Sequence, residues 1–249
     1  MAILEICCGD ILSVYEAKAG GADRIELCSG LGDGGLTPSA GLIRRAVASG
    51  LPVNVLIRPR PGDFLYSDEE MDVMVADIEM ALGLGANGVV VGVLTPEGNV
   101  DMEKCGRLVD AAREVGSRKV EVTFHRAFDL CRDPFKSLED IIELGCGTIL
   151  TSGLASSAYA GMNMLGKLVE AAVGRIAIMA GAGINPGSAG AILLNARVDA
   201  IHATARSLRP SGMRFRRESV PMGVPGADEY SLSFTDRGIV SQLRFLLNL

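Results

Sequence analysis

The chain has 249 residues, 48% of them hydrophobic, with 31 glycines and no tryptophan, the profile of a packed α/β protein with many tight connections. Its 24 basic and 30 acidic residues give a net charge of −6, which argues against a nucleic-acid binder, because such proteins carry a basic footprint. No uncharged apolar run approaches the roughly 20 residues of a membrane helix, and the N-terminus has no basic region ahead of an apolar stretch, so a cytoplasmic protein with reduced cysteines and no membrane partner is expected.

In chain order, eight apolar, β-branched-rich runs alternate with amphipathic helical runs. The strand candidates begin near Ile3, Asp23, Val53, Gly88, Lys119, Thr148, Arg175 and Asp199. The third helix is expected over 71–81, with Asp68, Glu69 and Glu70 before it and Gly83 near its end, as helix-end preferences require. Pro134 and Pro186 stand where following helices open. Three strands are preceded by similar glycine-bearing turns, Gly20-Gly21-Ala22-Asp23, Gly85-Ala86-Asn87-Gly88 and Leu144-Gly145-Cys146-Gly147, in which glycine ends a helix in the left-handed region. Eight βα units in about 250 residues is the size of a (β/α)8 TIM barrel, here a single domain over 1–249. A doubly wound sheet is the alternative, but no G-x-G-x-x-G follows the first strand. The longest irregular segment is expected over 207–231, before a last helix at 235–247. It reads as a lid, a binding loop or an interface arm, and Arg206, Arg209, Arg214, Arg216 and Arg217 lie in or beside it.

In such a barrel the site lies at the C-terminal ends of the strands. Glu-x-Cys occurs twice there, as Glu5-Ile6-Cys7 and Glu26-Leu27-Cys28. Residues two apart on a strand share a face, so neighbouring parallel strands would bring Cys7 and Cys28 to about 5 Å. Such a thiol pair suits a soft metal ion such as Cu(I). One residue of register would exchange Cys7 for Cys8. Strand three leads into Arg58 and Arg60, strand five into His125, Arg126 and Asp129, strand six into Ser152, strand seven into Gly181 and Gly183, and strand eight holds His202. Arg58 and Arg60 would hold an anion, Glu26 or His125 would transfer a proton, and His202 would assist. Gly181 and Gly183 stand where barrels bind phosphate through backbone N–H groups. Alternatively, Glu26 and Arg58 pair only to fill a polar layer, and the cysteines and histidines are core residues.

Several chemistries are disfavoured. No lysine lies near the C-terminal end of a predicted strand, against a Schiff-base aldolase. There is no H-E-x-x-H, no CxxC zinc pattern, no nucleophile elbow and no P-loop.

Five long motifs resemble the CutC family of copper homeostasis proteins. They are Gly20-Gly21-Ala22-Asp23-Arg24-Ile25-Glu26-Leu27-Cys28, Gly34-Gly35-Leu36-Thr37-Pro38-Ser39, Ile57-Arg58-Pro59-Arg60 with Gly62-Asp63-Phe64-Leu65-Tyr66-Ser67, Thr123-Phe124-His125-Arg126-Ala127-Phe128-Asp129, and Ile149-Leu150-Thr151-Ser152-Gly153. The resemblance covers nearly the whole chain. It implies a TIM barrel, a cytosolic homodimer or homotetramer, and copper as the partner, with Cu(I) on Cys7 and Cys28. It departs at Ala180-Gly181-Ala182-Gly183, where the family tends to read Pro-Gly-Gly-Gly, so Ala182 would narrow the approach of an anion to the backbone. Three functions are therefore weighed: a Cu(I)-binding homeostasis protein, an enzyme for a small anionic metabolite, phosphorylated or not, and a metal-independent scaffold joined through its arginine-rich arm.

Overall fold

Eight short parallel strands close into a barrel in chain order, each paired with the next and the last with the first. They are β1 (Ile3–Cys8), β2 (Arg24–Leu27), β3 (Val53–Leu56), β4 (Gly88–Val91), β5 (Glu121–Phe124), β6 (Thr148–Thr151), β7 (Ala177–Ala180) and β8 (Ala200–Ala203). The helices between them are α1 (Ile11–Gly20), α2 (Ala40–Val47), α3 (Asp68–Gly83), α4 (Met102–Glu114), α5 (Pro134–Leu144), α6 (Met162–Ala172) and α7 (Pro186–Ala196). This is the TIM barrel that the sequence predicts. The computed structural model describes residues 2–115, 120–217, 219–220 and 228–248. The expected start of the fifth strand at Lys119 lies outside them.

Local chemistry sets the element ends. A capping box joins Ser67 and Glu70 at the start of α3, satisfying N–H groups that the helix itself leaves unpaired. Asp133 and Asn185 cap α5 and α7, with Pro134 and Pro186 in the first turn. Gly21 and Gly145 end α1 and α5 at φ 90° and 78°, as the repeated turns predict.

One expectation is corrected at the C-terminal end. Part of the supposed irregular segment is regular: β9 (Arg206–Pro210) pairs antiparallel with β10 (Ser231–Thr235). Alternating exposure along Arg206–Pro210 hides the strand from a search for apolar runs. Residues 218 and 221–227 of the segment lie outside the described residues. The last helix, α8 (Arg237–Leu247), packs on α1 and α7 and completes the helical ring.

The main core lies between sheet and helices, where Leu4, Ile6 and Cys8 of β1 belong. Side chains of opposite parity fill the barrel interior. They form two smaller apolar clusters, one of Cys7, Cys28, Leu56 and Val90 and one of Leu150, Met179 and Ala200. Cys7 therefore faces the interior and Cys8 the helices, which settles the register.

Candidate functional site

The β1–β2 register sets Cys7 beside Glu26 and Glu5 beside Arg24, and strand alternation sends all four side chains inward. Cys28, just beyond β2, continues the same face. Cys7 Sγ lies 3.6 Å from Cys28 Sγ and 3.4 Å from Glu26 Oε1. All three residues are buried. The hydrogen bond to Cys28, then burial and the nearby Glu26 carboxyl, push the Cys7 thiol well above its ordinary pKa. Burial also raises the Glu26 carboxyl, against the pull of His202. Cys7 therefore keeps its proton at neutral pH.

His202 enters from β8, directly opposite Glu5 of β1. Its Nδ1 lies 2.8 Å from Glu5 Oε1. Burial opposes a charged imidazole, but Glu26 and Glu5 outweigh it and raise the His202 pKa. Burial likewise opposes a charged Glu5, but His202 and Arg24 outweigh it and lower that pKa. Arg24 Nε donates to Glu5 at 2.6 Å and its Nη1 to Glu121 at 3.3 Å, and Asn54 Nδ2 donates to the same Glu121 carboxylate. Above this layer, ligand atoms of Cys7, Glu26 and His202 all lie within 4.8 Å of one another.

Across the barrel mouth stand Arg58, Phe64 and His125. With Cys7, Glu26 and His202 they line a cavity of about 410 Å³. Arg58 donates to the carbonyls of Asp33, Gly35 and Gly62 at 2.8–2.9 Å. It thereby ties the loops after β2 and β3 to the rim. His125 Nδ1 accepts from Ala127 N–H. Burial, and then the Arg58 charge, lower the His125 pKa to about 3. The ring is neutral at physiological pH and carries its proton on Nε2. That Nε2 and Arg58 Nε have no hydrogen-bond partner among the described residues. Gly92 makes room for the ring, because a Cβ there would stand 2.6 Å from it.

The CutC family model matches residues 2–207. The chain belongs to the CutC family. A CutC family protein of Vibrio campbellii is 48% identical, over 98% of both chains. The human copper homeostasis protein cutC homolog is 47% identical over 94% of this chain and 85% of its own. A crystal structure assigned as a copper homeostasis protein CutC from Streptococcus agalactiae superposes with a TM-score of 0.77 at 32% identity, covering 82% of this chain and 99% of that one.

In this CutC-family barrel the sequence-predicted residues separate into groups. Cys7, Glu26, Arg58, His125, Arg126, Asp129, Gly183 and His202 line the cavity, and Cys28 stands behind Cys7. Ser152 does not line it: its hydroxyl donates to Ala155 O and its N–H to Asp129. Asp129 also accepts from Thr151, Leu154 and Arg126, so its carboxylate holds the loop after β6. Gly181 lies against Leu150, with Gly183 nearer the cavity. Ala182 lines the cavity too, at a left-handed φ of 76°, where glycine would be unstrained.

Two pairings differ from expectation. Arg58 does not pair with Glu26, because loop carbonyls occupy its guanidinium. Arg60 does not share the Arg58 face. The strand ends at Leu56, so the two-residue period no longer applies, and Arg60 turns outward to Glu70, Asp63 and the Tyr66 ring. Sequence reasoning missed Arg24 and Phe64. Arg24 was readable as the third member of the inward set with Glu26 and Cys28. Phe64 sits in a loop with no periodicity to report it.

Proposed function

We propose that this protein handles copper as Cu(I), held by Cys7 and Cys28 at the mouth of the barrel. The observation that carries this reading is the pair of buried thiols 3.6 Å apart beside a cavity. Paired sulfur ligands favour Cu(I) over harder ions, and the name of the human relative points the same way. Anaerobic Cu(I) titration against a competing chelator tests it. Tight one-to-one binding is expected in the wild type and none in the Cys7→Ser/Cys28→Ser variant; binding that survives the double change would overturn the reading.

A cytosolic location fits the six cysteines, all free thiols, and no described helix is long and apolar enough to cross a membrane. We further propose a homodimer or homotetramer, supported by exposed Leu208, Phe215 and Leu232 on the arginine-bearing arm. Sedimentation of the wild type and of a chain trimmed over 207–231 checks this.

A second reading is favoured by a specific observation. The cavity is larger than an ion needs, and two of its residues, Arg58 and His125, carry N–H groups with no partner among the described residues. Both can donate to an oxygen-rich, anionic metabolite, with Glu26 as the proton-transfer group. A metabolite screen by thermal shift, repeated on His125→Ala, examines this reading. A stabilising ligand whose effect vanishes in the variant supports it, and the absence of any ligand counts against it.

A further inference from the structure

The cavity holds a donor set that the thiol pair does not use. Cys7, Glu26 and His202 come from three different strands, and their ligand atoms lie within 4.8 Å of one another. Sulfur, oxygen and nitrogen in one cluster do not select a soft monovalent ion. They are the ligand types of zinc and its neighbours.

The imidazole is oriented for this task. Glu5 Oε1 engages His202 Nδ1 at 2.8 Å, which leaves Nε2 as the ring nitrogen free to bind. A carboxylate behind a ligating histidine is the usual support at such centres, where it sets the tautomer and the ring orientation. Here Glu5 is itself held by Arg24 at 2.6 Å, so the support is rigid. The charges also balance. A Cys7 thiolate and a Glu26 carboxylate supply two negative charges, which a divalent ion cancels in a buried setting where excess charge is costly. Bonds of about 2.0–2.3 Å to a tetrahedral ion space its ligands by roughly 3.3–3.6 Å. Cys7 and Glu26 are already at 3.4 Å.

We infer that Cys7, Glu26 and His202 form a three-ligand site for a borderline-soft divalent cation of the Zn²⁺ class, with its remaining position open to the cavity. Three protein ligands and one open position are the arrangement of catalytic rather than structural zinc. The site shares Cys7 with the Cu(I) reading but does not rest on it, because Cys28 ligates copper alone whereas Glu26 and His202 ligate the divalent ion and not copper.

The experiment titrates the full chain with Zn²⁺ against a chromogenic chelator under reducing conditions, and records the visible spectrum with Co²⁺. Wild type is expected to bind one ion, with a thiolate-to-cobalt charge-transfer band and the intense bands of a four-coordinate centre. Cys7→Ser, Glu26→Gln and His202→Gln are each expected to weaken Zn²⁺ at least ~100-fold, and Glu5→Gln by about 10–100-fold through loss of the oriented imidazole. Cys28→Ser should keep both the band and the Zn²⁺ affinity while losing Cu(I). A wild-type Co²⁺ spectrum without the charge-transfer band overturns the proposal, whatever the variants do. So does Zn²⁺ affinity unchanged in folded Glu26→Gln and His202→Gln, or lost equally in Cys28→Ser. Failure of the Cu(I) reading shows separately, as Cu(I) binding indifferent to Cys28.

Discussion

Two polar layers are stacked inside this barrel, built from similar residues and differently paired. In the lower layer Arg24 donates to both Glu5 and Glu121, and Asn54 donates to Glu121 as well. The upper layer holds Cys7, Glu26, Arg58 and His125. There Glu26 takes a hydrogen bond from the Cys7 thiol, and Arg58 Nε and His125 Nε2 have no hydrogen-bond partner among the described residues. His202 bridges the two, with Nδ1 on Glu5 and a ring nitrogen within 4.8 Å of ligand atoms of Cys7 and Glu26. A network of paired charges around buried Glu5 orders the barrel. Unmet donors and acceptors beside a cavity mark where something else binds.

The comparison breaks most severely if the lower layer loses its cation. Arg24→Met strands the wholly buried Glu5 carboxylate and is expected to cost about 3–5 kcal/mol, read as a lower denaturation midpoint. It should also loosen His202, whose Nδ1 partner is then no longer held.

The upper layer instead predicts a pH effect. Folded His125 refuses a proton until about pH 3, whereas the unfolded ring takes one near 6.5. Between these values the unfolded state binds more protons, so stability falls as pH drops through the window. His125→Gln should flatten that decline, which amounts to a few kcal/mol at its acid end on the order of 1.4 kcal/mol per unit. Denaturant melts across pH 3.5–6.5, about the width of that window, measure it. An unchanged slope would mean that another group drives acid unfolding.

Arg58→Lys sharpens the contrast further. Lysine keeps the charge but lacks the planar fork that reaches three carbonyls, and a loss of about 2 kcal/mol is expected. The rim loops should then show faster hydrogen exchange while the lower layer stays protected. The smallest effect is a gain. Ala182→Gly relieves a left-handed residue and should stabilise the chain by up to about 1 kcal/mol, seen as a small rise in melting temperature.

Legibility followed periodicity. The eight strands, the capped helices and the shared Glu-x-Cys faces of β1 and β2 all follow from repeating patterns that every residue reinforces. Arg58 and Arg60 show where such reasoning stops. Both lie beyond the end of β3, where no period ties one side chain to the next, and only the fold sends Arg58 to loop carbonyls and Arg60 outward to Glu70. Segment 207–231 failed for a related reason: the hairpin strand there alternates without an apolar face, and its partner lies more than twenty residues away.

The sequence by itself determined the barrel, the family and the shared face of glutamate and cysteine in each Glu-x-Cys pair, because strand alternation and chain-order βα repeats are local rules. The tertiary structure decided which of Cys7 and Cys8 enters the interior. It also decided that Arg24 rather than Arg58 neutralises the buried acids, and that His202 meets Cys7 and Glu26. Those outcomes depend on barrel closure, which brings β8 beside β1 and joins residues 197 positions apart at 2.8 Å, a contact no local pattern encodes.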